Sequence, residues 1–247
     1  MKILRENGNS LSLDPFKGYP RKHFGAIVAD PPWHFRARTA LQMTNWTSRR
    51  DAEKHYDVLG WEDIAKMPVA SLAAKHCHLF LWATGPCLQQ AFAVMEAWGF
   101  RYSSMAFVWV KLKRSHNPAQ LRVLPTAESD LHVGLGLTTR HNAEFCLLGR
   151  STQSKRRAKD VREVILSPVR EHSRKPDEMY ERVERYCDGP YLDLFAQQCL
   201  SNWAVWDNDA DKWMGPEERV RAIIAAKGQV NLDPGPLFPG PPTEIFS

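Results

Sequence analysis

The sequence predicts an α/β fold: a Rossmann-like methyltransferase-type architecture with a mainly parallel seven-stranded sheet and helices on both faces. Three observations predict it. Short apolar runs, each closed by turn-forming residues, recur along the chain as buried strands do. Segments with helical spacing lie between some of them. Strands that alternate with helices return through crossovers, which makes the sheet parallel and covers both of its faces.

Each element has its own signal. The first strand is "FGAIVAD" (24–30), an apolar run that ends abruptly in an acid and two prolines. "HLFLWAT" (78–84) is the second. "PCLQQAFAVMEAW" (86–98) spaces its apolar residues as a helix does, and Gly99 follows as a stop. "SSMAFVWVKL" (103–112), "AEFCLLGR" (143–150) and "REVILSP" (162–168) read as the next strands. "KPDEMYERVERYC" (175–187) opens with Pro176 and two acids, which suit a helix N-terminus. Its Met179, Tyr180, Val183 and Cys187 fall on one face, and Gly189 closes it. "YLDLFA" (191–196) and "NWAVWD" (202–207) complete the set of seven. In such sheets ligands bind beyond the carboxyl ends of the strands, where Asp30 and residues 196–198 fall.

One methyltransferase domain over residues 1–213 accommodates these elements. Residues 113–142 are polar, basic and too long for an idle connection, so they read as a substrate-binding loop insertion. Residues 35–56 are similar and carry Arg36, Arg38, Arg49 and Arg50. Residues 214–247 hold one short amphipathic pattern and then a proline-rich end, the composition of a flexible tail.

Composition narrows the function classes. The 247 residues are 43% hydrophobic, carry a formal net charge of +5, and contain no apolar run of membrane-spanning length. The start lacks the apolar region of a signal peptide, which points to a cytoplasmic protein with no membrane partner. Basic residues cluster at 111–116, 154–159 and 172–175, as a phosphate-binding face requires. Five cysteines without CxxC spacing argue against a disulfide framework or structural zinc. His76-Cys77-His78 leads into an apolar strand whose alternation sends neighbours to opposite faces, so no metal site is expected there.

The chemistry concentrates in "DPPW", residues 30–33. Asp30 is an acceptor at a strand tip. Pro31 and Pro32 remove two backbone donors and fix two φ angles, so the surrounding carbonyls point in rigid directions. Trp33 adds a flat aromatic surface. An acceptor-rich, donor-poor pocket beside an aromatic plate suits a planar group that carries an amine, such as a nucleobase. Hydrogen bonds from that amine to Asp30 and the Pro31 carbonyl would favour a more tetrahedral nitrogen and free its lone pair for an electrophile. Positioning would supply much of the catalysis, without a cysteine nucleophile or a metal.

At these motifs the sequence resembles the MT-A70 family of S-adenosylmethionine-dependent adenine-N6 methyltransferases, as a bacterial or phage-type member. "DPPW", "HLFLWATG", "VWVK", "TRHNAEFCLLGR", "HSRKPDEMYERVE" and "YLDLFA" followed by "NWAVWDN" occur in family order over roughly residues 22–210. The family's motif order is circularly permuted, with the catalytic loop early and the cofactor strand late. The resemblance implies a catalytic pocket of Asp30, Pro31, Pro32 and Trp33. It implies cofactor contacts from Asp14, Ser173, Lys175, Phe195, Ala196, Gln197, Asn208 and Asp209. Lys175 would hold the cofactor's carboxylate, and residues 195–198 would lie near its ribose. Tyr56, Trp109, Lys111, Lys113, Arg140, Asn142 and Glu144 fall on the substrate side. One position departs: after "LDLF" and a small residue the family usually has arginine, and here it is Gln197.

The implied activity is methyl transfer from S-adenosylmethionine to the 6-amino group of adenine in nucleic acid, reached as a single strand or a flipped base. The compact chain favours DNA over RNA, and a monomer or homodimer is expected. An RNA adenine methyltransferase and a non-catalytic nucleic-acid-binding subunit are the alternatives. Cytosine is disfavoured, because related pockets for it usually carry serine in place of the aspartate.

Overall fold

The computed structural model describes residues 14–33, 60–115, 128–134, 139–170, 174–198 and 200–206. Seven strands form one sheet: β1 (Phe24–Ala29), β2 (Ala73–Ala83), β3 (Arg101–Leu112), β4 (Ala143–Arg150), β5 (Val164–Pro168), β6 (Tyr191–Leu194) and β7 (Trp203–Trp206). Their spatial order is β5-β3-β4-β2-β1-β6-β7. β4 is antiparallel to both of its neighbours, β2 and β3, and every other pairing is parallel. The sheet is therefore mixed, mainly parallel with one reversed strand. The late strand β6 pairs directly with the early strand β1, which suits the permuted motif order.

Two helices follow the predicted patterns, α2 (Leu88–Ala97) and α3 (Asp177–Tyr186), and a short α1 (Trp61–Ala65) precedes β2. Strand alternation splits the core between the two faces of the sheet. Ile27, Ala29, Leu79, Leu81, Leu147, Leu192 and Leu194 face α1 and α2, whose Ile64, Ala91, Val94 and Met95 close that cluster. Ala26, Val28, Phe80, Trp82, Cys146 and Leu148 point the other way, beneath Met179, Tyr180 and Val183 of α3. Each fully buried aliphatic side chain contributes about 1.5–3 kcal/mol of transfer free energy, so both helical layers are needed.

β2 starts five residues before its predicted first residue, because the polar segment Lys75-His76-Cys77 continues the strand. Alternation then decides its neighbours. His76 lies at the surface and bonds the Thr152 hydroxyl, while His78 is buried edge-on against Tyr186. One glycine is required by close approach. A Cβ on Gly25 would sit 2.6 Å from the Gly189 carbonyl oxygen, so a side chain there would push β1 away from the segment entering β6.

Candidate active site

Asp30 follows β1 directly and continues the alternation of Ala26 and Val28, so its carboxylate emerges on the α3 side of the sheet. Its N–H donates to the Leu194 carbonyl at 3.3 Å, an added rung between β1 and β6. The prolines then turn the chain tightly: the Trp33 N–H donates to the Pro31 carbonyl at 2.8 Å. This three-residue turn fixes the direction of the Pro31 oxygen and uses one of its two lone pairs. The Trp33 ring is half-buried against the α1–α2 side of the core, and its Nε1 donates to the Trp82 carbonyl at 2.8 Å. Trp33 thus ties the loop to the end of β2.

The reversed strand β4 completes the site. Because it runs opposite to its neighbours, its first residues lie at the carboxyl ends of theirs. Glu144 is placed opposite Trp109, beside Lys111. Lys111 Nζ bonds Glu144 Oε1 and lies 4.9 Å from the centre of the Trp109 ring, whose own N–H is donated to the Ser167 carbonyl. Lys175, just before α3, bonds Asp30 Oδ2 and lies 3.2 Å from Glu144 Oε2. Four charges from four distant segments form one chain: Lys111, Glu144, Lys175, Asp30.

These groups are withdrawn from water. The Lys175 side chain is 5% exposed, Glu144 12% and Asp30 18%. Burial disfavours charge on all of them, and the pairing opposes it. For Asp30 burial prevails and raises the carboxyl above its ordinary range, with Lys175 pulling it down and Glu144 adding to the rise. For Glu144 burial raises it, but Lys175 and Lys111 together hold it below the ordinary value. Lys175 loses to burial and gains more from its two carboxylates, so its ammonium is held charged.

A cavity of about 280 Å³ opens beside this chain, lined by Asp30, Lys175 and Trp82 together with Arg174 and residues 195–198. Its wall at β6 depends on an unusual backbone. Phe195 adopts φ 64°, a left-handed conformation that costs a non-glycine residue about 1–2 kcal/mol. Hydrogen bonds from the Phe195 and Ala196 N–H groups to the Trp206 carbonyl, at 2.6 and 3.2 Å, hold it. The turn places Ala196 and Gln197 at the cavity. Deeper in, Tyr180 donates to Asp193 at 2.7 Å, and burial lifts the Asp193 carboxyl to about 7.

The structure brings together Asp30, Lys175, Phe195, Ala196 and Gln197 at the cavity, with Trp109, Lys111 and Glu144 adjoining through the charge chain. Asp14 lies elsewhere, paired with Arg21 in a turn that packs beyond the end of β7, where Trp206 donates to the Pro15 carbonyl. Lys113, Arg140 and Asn142 sit around the carboxyl end of β3: Lys113 N–H donates to the Asp130 carbonyl, and Lys111 N–H donates to Asn142. Tyr56, Ser173, Asn208 and Asp209 lie outside the described residues, as do Arg36, Arg38, Arg49, Arg50 and the 214–247 tail.

The basic loop at 154–159 is at the wrong end for a phosphate clamp at Asp30. Ser154 bonds the Cys77 carbonyl near the start of β2, and the Arg157 N–H donates to Tyr186 at the end of α3. Six strand residues separate Cys77 from Ala83, roughly 20 Å. Sequence reasoning missed Arg174, Gln198, Tyr180, Asp193 and Trp82 as cavity residues. An acid inside the apolar run "YLDLF" was the available signal for Asp193.

A family model described as MT-A70 matches residues 24–209. The chain belongs to the MT-A70 family. The resemblance read from the motifs is borne out, as is the Rossmann-like fold class with its mixed sheet. The MT-A70 chain is 29% identical over 220 residues to the Type II methyltransferase M.MunI of Mycoplasma sp, covering 84% of this chain and 85% of that protein. It is 27% identical over 223 residues to an N(6)-adenosine-methyltransferase MT-A70-like protein of Arabidopsis thaliana, covering 89% of this chain and 28% of the relative. Against the human N(6)-adenine-specific methyltransferase METTL4 it is 26% identical over 203 residues, covering 81% and 40%. This chain therefore spans most of M.MunI but less than half of the two eukaryotic relatives.

Proposed function

We propose that this MT-A70 protein transfers a methyl group from S-adenosylmethionine to the 6-amino group of adenine in nucleic acid, with DNA as the polymer. The observation that carries this reading is the buried Asp30 carboxylate, fixed at the rim of a cavity beside a rigid, donor-poor turn. Membership of the family supports the reaction class, and the length match to M.MunI supports a compact DNA-type enzyme.

The cavity residues fit the cofactor. Arg174 and Lys175 supply positive charge, Gln197 and Gln198 supply amides, and the fully buried Trp82 Nε1 has no hydrogen-bond partner. A buried donor without a partner costs about 1–3 kcal/mol, a cost a polar ligand can relieve. When bound, S-adenosylmethionine supplies a sulfonium-activated methyl group. Asp30 accepts hydrogen bonds from the 6-amino group; Lys175 occupies part of its acceptor capacity and leaves the rest. Trp33 holds the turn through Trp82, so the acceptors are positioned before substrate arrives. Glu144 and Lys111 keep Lys175 from drifting away from Asp30.

The test is incubation with methyl-labelled S-adenosylmethionine and adenine-containing DNA or RNA, followed by digestion to nucleosides. Label in N6-methyladenine from DNA, absent with Asp30→Asn, is expected. Folded protein that labels neither polymer overturns the reaction, and label confined to RNA overturns the choice of polymer.

A further inference from the structure

Two cationic side chains line the cavity, Lys175 and Arg174. Lys175 already sits between two carboxylates, Asp30 and Glu144, and Lys111 holds the second oxygen of Glu144. Among these four groups the two positive charges and the two negative charges cancel. A further carboxylate brought to Lys175 would share its ammonium with Asp30 and meet that like charge at close range. In a buried setting such crowding is costly.

Arg174 stands differently. Its Nε donates to Gln198 Oε1 at 3.0 Å, and its Nη2 lies 3.4 Å from Asp177 Oδ1. Asp177 is gripped on both oxygens by Arg170, at 2.7 and 2.9 Å, and Arg170 also donates to the Lys175 carbonyl at 2.9 Å. Arg170, Asp177 and Arg174 thus bring two positive charges against one negative charge at the first turn of α3. The Arg174 side chain remains 31% exposed, so a ligand can reach it. A guanidinium fork also matches a carboxylate in geometry, as an ammonium does not.

We infer that Arg174, rather than Lys175, takes the α-carboxylate of the cofactor's amino-acid end, and that Lys175 instead holds Asp30 and Glu144. This rests on the methyl-transfer reading above. Arg174 then supplies, one residue before Lys175, a charged fork in a cavity whose β6 wall presents the neutral Gln197.

Calorimetric titration of the full chain tests it with two ligands. S-adenosylhomocysteine carries the carboxylate, and 5′-methylthioadenosine keeps the adenosine and sulfur but lacks the amino-acid group. Arg174→Ala is expected to weaken the first about 10–100-fold, the range for removing a charged hydrogen bond, and to leave the second unchanged. Arg174→Lys should fall between. Unchanged affinity for S-adenosylhomocysteine in Arg174→Ala, or equal weakening of both ligands, overturns the assignment. Wild-type protein that binds neither ligand overturns the methyl-transfer reading itself.

Discussion

Lys175 reaches Asp30 across 145 residues of sequence, and the contact is buried. The two meet because β1 ends beneath the entrance of α3, so the strand tip and the helix start share one corner of the sheet. Pairing at this corner lets a carboxylate stay withdrawn from water without losing its charge, and an amine acceptor needs that charge. The pair is coupled to Glu144 and Lys111, so no member is independent of the others.

Lys175→Met tests that coupling. It leaves Asp30 and Glu144 as two buried carboxylates with Lys111 alone to compensate. Breaking a buried pair from one side typically costs about 3–5 kcal/mol. Without the ammonium, burial and mutual repulsion raise both carboxyls, so the folded variant binds more protons than its unfolded chain. Its stability should therefore recover as pH falls from 8 toward 5. Urea denaturation across that range measures it. Asp30→Asn combined with Lys175→Met should destabilise by less than the sum of the two single changes.

Asp193 gives the parent protein a pH dependence of its own. Burial lifts its carboxyl to about 7, well above the value in an unfolded chain, with the Tyr180 hydroxyl pulling the other way. A group raised on folding stabilises fully below its unfolded value, and that contribution is lost as pH rises through the folded value. Stability should thus decline from about pH 4 to pH 8, with an upper bound of roughly 4 kcal/mol. Asp193→Asn keeps an acceptor for Tyr180 and removes the titration. Its unfolding midpoint should vary less with pH than that of the parent, and equal slopes would count against this assignment.

Trp33→Phe separates positioning from stacking. The ring is half-buried against the core and its N–H is committed to the Trp82 carbonyl. Phenylalanine keeps an aromatic plate but frees that carbonyl, at a cost of about 1 kcal/mol in stability. If Trp33 serves mainly to place Asp30, kcat should fall about tenfold or more while KM for the oligonucleotide changes little. A rise in KM with kcat intact would instead identify the ring as a stacking surface.

Much of the fold was legible in the sequence because strand and helix periodicity report burial directly. The seven apolar runs became the seven strands, and the Asp30 acceptor needed only its place at a strand end. The charge chain was not legible as a unit. Lys111 and Glu144 each fall on the substrate side by their motifs, but their pairing depends on β4 running backwards, and an eight-residue strand carries no sign of its direction. Lys175 reads as a ligand contact because a lysine before a helix suits an anion. The partners that surround it, at positions 30 and 144, are set by topology alone. The 154–159 loop is misplaced by sequence reasoning for the same reason: composition records charge, and the fold decides which end of the sheet receives it.

That loop yields the last prediction. Lys155, Arg156 and Lys159 lie between β4 and β5, on the side where β2 begins, roughly 20 Å of strand from the end of β2 beside the site. Charge over that distance is screened at physiological salt, where the Debye length is about 8 Å. Replacing the three with glutamate should leave kcat on a short single-stranded oligonucleotide within about twofold of the parent. Binding to long DNA should weaken only if the polymer extends across this end, and the salt slope should then become shallower in proportion to the phosphates no longer neutralised. The comparison is therefore made with one short and one long substrate at two salt concentrations. A large drop in kcat on the short strand would place the loop at the active site and contradict its packing against Cys77 and Tyr186.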